Sequence, residues 1–293
     1  MITKTKSRKM FEVLNYLLFT IFCISIIIPF LNTIAISLSD AEAVTKKLVG
    51  LWPIGFNTVA YKKLAINSQF WRTFGNTVFL TVTNTVLVIV NALCAAYALS
   101  SKYLIGKKVI MYYILVPYYF SGGLIPTYLL INGIGLNNNY LALVLPVITS
   151  IYYIIVFRNL MAQLPQELVE SAELDGASQP RILFNIIIPL IMPTIAAFIV
   201  FSAVANWNEW FGCMIYISDK KRWTLQYQLR DILINANIAN PDLEKEMATG
   251  TIPIHPENLK MAALMLTILP IIIVYPFVQK YFMSGVLVGA VKG

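Results

Sequence analysis

Apolar runs long enough to cross a bilayer alternate along this chain with shorter polar segments. Six runs stand out: Leu14–Leu38, Phe74–Ser100, Val109–Ile131, Tyr140–Phe157, Ile182–Ala205 and Met261–Val278. A helix that spans the hydrocarbon core needs about 17–25 predominantly apolar residues, and all six are near that length. Their apolarity is continuous, whereas strands of a membrane barrel alternate. The pattern predicts an all-α integral membrane protein with six transmembrane helices.

Composition agrees. Of 293 residues, 58% are hydrophobic and 12% charged, against about 25% charged in ordinary globular domains. Mean hydropathy is positive. A net charge of +8 could suggest nucleic acid. In a membrane chain the excess of Lys and Arg belongs at the cytoplasmic lipid face instead. The expected partner is therefore the lipid bilayer, with no nucleic acid. Cys23, Cys94 and Cys213 match no metal or disulfide spacing and are expected to pack as small apolar residues.

The first run follows Lys4, Lys6, Arg8 and Lys9, and Ala41-Glu42-Ala43 resembles a signal-peptidase site. A signal h-region spans only about 7–15 residues. The longer run here predicts an uncleaved first helix. Orientation follows from short loops. Lys102, Lys107 and Lys108 follow span two, while the loop 132–139 carries neither Lys nor Arg. The positive-inside rule then puts both termini in the cytoplasm. It leaves 39–73 and the long loop 206–260 outside. The connection between spans four and five, about 163–180, lies inside. The whole chain, 1–293, is expected to form a single transmembrane domain of a multi-pass protein in the cell membrane of a prokaryote.

Every span but the second contains proline: Pro29, Pro117 with Pro126, Pro146, Pro189 with Pro193, and Pro270 with Pro276. Proline removes a backbone hydrogen bond and kinks a helix, which packed membrane helices tolerate. Bent spans suit a transporter that encloses a cavity. Catalysis finds no support. The single histidine, His255, sits in an outer loop, and no nucleophile constellation, His-Glu-x-x-His motif or phosphate-binding loop occurs. No metal or cofactor site is expected in this chain, and an ATP-driven process would need its ATPase on another chain.

The cytoplasmic segment is the natural contact for such a partner. Pro165 suits a helix start. Glu167, Glu170, Glu173 and Asp175 follow, and Gly176 suits a left-handed helix end. The three glutamates share one face, and Leu164, Leu168 and Ala172 make another. Anionic lipid would repel four acids, so a protein-docking helix is the better reading.

At this point the chain resembles a known family. Glu170-Ser171-Ala172, then Asp175-Gly176-Ala177, then Ile186-Ile187-Ile188-Pro189 resemble the EAA signature of ABC importer permeases. Ser for Ala and Ile for Leu are small departures. Asn206-Trp207-Asn208-Glu209-Trp210 resembles the Trp-Asn motif of carbohydrate-importer permeases, and 279–293 resembles the ends of these chains. The likeness is to the shorter permease of the maltose type, in the subgroup for complex oligosaccharides. It implies the type I ABC importer fold. It also implies a heterodimer with a second, different permease, two cytoplasmic ATPase subunits holding ATP and Mg, an extracytoplasmic solute-binding protein and a carbohydrate substrate. Glu170, Ser171, Ala172, Asp175, Gly176 and Ala177 would form the coupling helix, and Pro189 and Pro193 the hinge of span five.

Substrate contacts are less defined. Asn76, Asn84 and Asn91 fall on one face of span two. They either tie helices together or line a wet path. Tyr112, Tyr113, Tyr118 and Tyr119 could stack on sugar rings or pack inside the protein. Asn206, Trp207 and Glu209 could form a gate, or an interfacial aromatic belt with a solvated acid. The rival readings are an ABC permease for another solute, an ion-coupled secondary transporter and a membrane hydrolase. A secondary transporter predicts internal repeats and mid-membrane charges, which the chain does not display.

Overall fold

The computed structural model describes residues 6–235 and 254–290. The first five and last three residues, and 236–253 of the expected outer loop, lie outside the described residues. Among those described, every regular element is helical. The helices are α1 (Lys6–Ser37), α2 (Ala41–Thr45), α3 (Val59–Ile66), α4 (Ser68–Ser100), α5 (Lys107–Tyr119), α6 (Leu124–Gly133), α7 (Leu141–Val144), α8 (Ile151–Met161), α9 (Gln166–Leu174), α10 (Gln179–Ile182), α11 (Ile188–Trp207), α12 (Phe211–Tyr216), α13 (Leu225–Asn235) and α14 (Pro256–Ala290).

Four continuous helices are long and apolar enough to span: Ser7–Ser37, Ser68–Ser100, Gln179–Trp207 and Pro256–Pro276. Two bent pairs, each counted as one broken span, bring the number to six.

These breaks correct the sequence reading. The expected span Val109–Ile131 is two helices bent by 108°. The chain turns at Ser121-Gly122-Gly123, where Gly123 takes φ +86°, a conformation that suits glycine and ends α5 soon after Pro117. The expected Tyr140–Phe157 is likewise split, with a 41° bend. Pro146 sits in the 3₁₀ turn Leu145–Val147, and α8 runs on to Met161. The last span starts at Pro256 rather than Met261, and the segment after Trp207 holds α12 and α13.

Span five carries a third irregularity. Between α10 and α11 the ladder slips into a π turn over Leu183–Ile187. Pro189 has no N–H to return to the carbonyl four residues back, and its ring crowds that carbonyl. Widening the preceding turn accommodates both effects.

The chain divides into two compact units. One holds α1–α3 with Leu229–Leu269; the other holds Gln69–Gln228 and the chain from Pro270. In the first unit Asn258 Nδ2 donates to the carbonyls of Ile36 at 2.7 Å and Ser39 at 2.8 Å. It thereby satisfies carbonyls left open at the end of α1. In the second unit Ala92 and Ala96 of α4 are fully buried with Ile154 and Phe157 of α8 and Ile191, Ile195 and Phe198 of α11. Small residues spaced four apart let membrane helices approach closely. A second buried cluster joins Leu80, Ile131, Leu143, Cys213, Tyr216 and Trp223.

Candidate functional site

The second unit contains the acidic segment. Helix α9 starts after Pro165 and ends at Gly176, which takes φ +77°. The N–H of Ala177 donates to the Ala172 carbonyl at 2.9 Å, and that of Gly176 to the Glu173 carbonyl at 3.0 Å. This pair is a Schellman turn. α10 starts at Gln179 and leads through the π turn into α11, so α9 is joined to span five by one short reversal.

Ala172 is buried among Ile182, Leu183 and Ile187, with Leu164, Val169 and Ala177 packed beside it. The apolar face expected from Leu164, Leu168 and Ala172 is therefore shifted. Leu164 precedes the helix, Val169 takes the inward place, and Leu168 is exposed. The outward surface carries Glu167, Leu168, Glu170, Ser171, Leu174, Asp175 and Gly176, and Leu174 is 90% exposed.

The acids are partly committed within the chain. Lys102 Nζ donates to Glu170 Oε1 at 2.7 Å. That bond, chiefly, raises the Lys102 pKa above its ordinary value. Gln179 Nε2 donates to Glu173 Oε1 at 2.8 Å, and Tyr97 Oη donates to Gln179 Oε1 at 2.5 Å. A cavity of about 100 Å³ lies between these groups, lined also by Tyr103 and Gln166. The end of α4 is finished by cations, with Lys107 Nζ on the Ser100 carbonyl at 3.2 Å and Arg158 Nε on the Leu99 carbonyl at 3.5 Å. Thus α9 is latched to the end of span two as well as joined to span five. The sequence reading treated Lys102 as a loop charge that sets orientation; with 68 positions between it and Glu170, no local pattern signalled the pairing.

Along α4 the three asparagines part company. Asn84 is buried and its Nδ2 donates to Asn206 Oδ1 at 2.9 Å and to the Leu143 carbonyl at 3.2 Å. Asn206 Nδ2 in turn donates to the Ser202 carbonyl at 2.8 Å. This junction ties α4, α7 and α11 together. Asn76 Nδ2 donates to the carbonyls of Lys221 and Trp223, both at 2.9 Å, and so holds the segment after α12. Asn91 is exposed. For Asn76 and Asn84 the geometry is that of ties within the unit.

Trp207 is buried, edge-on to Phe74 at 5.8 Å between ring centroids. It also lines an apolar recess of about 240 Å³ with Val78, Val82, Ile271 and Tyr275. Glu209 is half-buried; its Oε1 accepts the Gly212 N–H at 2.5 Å, and its carbonyl accepts the Thr224 hydroxyl at 2.7 Å. The picture of a solvated acid in an aromatic belt is therefore corrected: Glu209 staples the first turn of α12. Tyr112, Tyr113, Tyr118 and Tyr119 are exposed on this chain.

Residues 2–288 match the family described as "Binding-protein-dependent transport system inner membrane component". The chain is 35% identical over 286 residues to the polygalacturonan/rhamnogalacturonan transport system permease protein YtcP of Bacillus subtilis, covering 97% of this chain and 99% of that one. It is 35% identical over 290 residues to protein LplC of the same organism, covering 99% of this chain and 97% of that one. Among solved structures, a chain from a bacterial ABC transporter involved in the import of the acidic polysaccharide alginate superposes with a TM-score of 0.90. It is 29% identical, over 96% of this chain and 100% of that one. The chain belongs to the family of inner membrane components of binding-protein-dependent transport systems. It is a multi-pass permease of the cell membrane, with the type I ABC permease fold.

Proposed function

We propose that this chain is one of two different permeases in an ATP-driven importer of oligosaccharides released from a complex polysaccharide. The sugar is delivered by an extracytoplasmic solute-binding protein. Two cytoplasmic ATPase subunits hold ATP and Mg, and this chain holds neither. The observation that carries the reading is the α9 turn: a helix with an exposed acidic face, closed at Gly176 and joined by a short reversal to span five. Glu170, Ser171, Ala172, Asp175, Gly176 and Ala177 form the coupling element. ATPase closure pushes it, and Pro189 and Pro193 let span five bend. That is a two-state element biased from one end, as alternating access requires. Polymeric sugars in the names of similar permeases support the substrate class. Of the expected sugar contacts, the exposed Asn91, Tyr112 and Tyr119 serve the path. Asn76, Asn84, Asn206, Trp207 and Glu209 support its walls.

Purification in mild detergent should recover this chain with a second permease, an ATPase and a solute-binding protein, all identifiable by mass spectrometry. Proteoliposomes of that complex should take up oligosaccharide only with internal ATP and the binding protein. Uptake independent of ATP, driven by an ion gradient, would refute the reading.

A further inference from the structure

The segment after α2, Leu48–Phe56, has no role in the coupling mechanism and an unusual surface. No charged residue occurs between Lys47 and Lys62. Leu48, Leu51, Trp52, Ile54 and Phe56 are all exposed, Trp52 to 80% and Phe56 to 72%. Exposed clusters of this kind mark a binding surface.

Hydrogen bonds fix where this surface lies along α1. Asn57 N–H donates to the Leu38 carbonyl at 2.8 Å, and Asp40 N–H to the Ile54 carbonyl at 3.0 Å. Ile54 N–H donates to Ser39 Oγ at 3.0 Å. These hold the C-terminal limb of the segment at the helix end. A further tie, on the N-terminal limb, reaches deeper. Asn32 Nδ2 donates to the Gly50 carbonyl at 2.7 Å and to the Val49 carbonyl at 3.4 Å. Asn32 lies five residues inside α1 from its end at Ser37, about 7–8 Å along the axis. The loop therefore folds back alongside the spanning helix, below the helix end. Asn32, a polar residue within an apolar span, finds its acceptors in that loop. Gly55, at φ +64°, lies so close to the Asp40 side chain that a Cβ there would clash with it, so this turn of the fold-back needs glycine.

We infer that Leu48–Phe56 is an interfacial anchor, lying in the lipid at the C-terminal end of α1 with Trp52 and Phe56 in the bilayer. The occupant of this surface is the membrane interface itself. The segment sits at the depth where the spanning helix meets headgroups, and its composition is uncharged, apolar and Trp-bearing, as that zone favours. Two exposed basic residues precede it, Lys46, paired with Glu42 at 2.6 Å, and Lys47; long basic side chains beside a span end can reach headgroup phosphates.

The test uses the assembled transporter in lipid nanodiscs, with Cys23, Cys94 and Cys213 replaced by serine. A nitroxide is placed at Trp52→Cys, at Phe56→Cys in a second variant, and at Glu42→Cys as a reference. Collision with oxygen, which concentrates in lipid, is compared with collision with a water-soluble nickel chelate. Positions 52 and 56 should favour oxygen at least several-fold more than position 42, without solute-binding protein present. Equal access to the nickel chelate at 42, 52 and 56 would show a solvent-facing loop and overturn the inference. Protection of 52 and 56 from both reagents would show a protein occupant and overturn it equally. Two label sites keep the test decisive if one variant fails to assemble.

Discussion

In the proposed lever, Gly176 acts through its backbone conformation alone. A Cβ added there meets nothing within 4 Å, so substitution costs only backbone conformation. Forcing a non-glycine residue left-handed costs about 1–2 kcal/mol, least for Asn and Asp. Gly176→Val should therefore leave membrane insertion and assembly intact while lowering transport per ATP hydrolysed. Gly176→Asn should retain most of it. ATPase and uptake rates measured together in proteoliposomes check both, and equal coupling in wild type and the Val variant would remove Gly176 from the lever. His255 is a second single-residue probe, being the only histidine. Its Nδ1 accepts the Glu257 N–H at 3.2 Å at the start of α14, which requires the neutral ring. Burial lowers its pKa below the ordinary value near 6.5, Lys260 adds to that, and Glu257 opposes it; Lys47 lines the same cavity. Because the unfolded chain binds the proton more tightly, the stability gained from the neutral ring is complete above about pH 6.5 and falls as pH drops below it. NMR of isotopically labelled histidine should give a single resonance with a midpoint below 6.5, and a midpoint above it would contradict the cap.

At the scale of elements, Asn84 separates two roles that the sequence left open. Its bonds to Asn206 and Leu143 join three helices, and membrane interhelical hydrogen bonds average about 0.6 kcal/mol, at most about 1.7. Asn84→Leu should lower the thermal stability of the purified complex, and any loss of uptake should track that loss. A stable, assembled variant with selectively impaired sugar uptake would instead place Asn84 on the path. The six spans were legible because unbroken apolarity of bilayer length has few alternatives. The breaks at Gly122-Gly123 and at Pro146 were not placed, because proline and glycine are common in membrane helices and mark a possible bend without its angle. The helix Gln166–Leu174 was legible from Pro165, the acids and Gly176, all local signals. Its inward face was misjudged at Leu168 because the helix starts after Leu164, so the spacing i, i+4, i+8 did not apply. The latch to Lys102 and Tyr97 was invisible for a different reason: it joins residues some 70 to 80 positions apart, and only packing of α9 against the end of α4 brings them together.

For the whole molecule, orientation ties the coupling element to its compartment. The end of α4 is surrounded by Lys102, Lys107, Lys108 and Arg158, with Arg181 at the start of span five. Such a concentration of short-loop cations belongs on the cytoplasmic side. The positive-inside rule then predicts that the other end of α4, at Ser68, faces outward together with the segment before it, and that Ser178, between α9 and α10, faces inward. Cysteine placed at Glu42 should react with a membrane-impermeant maleimide in intact cells. Cysteine at Ser178 should react only in inverted vesicles. Both side chains are exposed, so lack of reaction from one side reports the membrane and not burial. The background must lack Cys23 and Cys94, which are themselves exposed. Labelling of Ser178→Cys in intact cells would put α9 where no ATPase can reach it, and the coupling role of Glu170–Ala177 would fall with the topology.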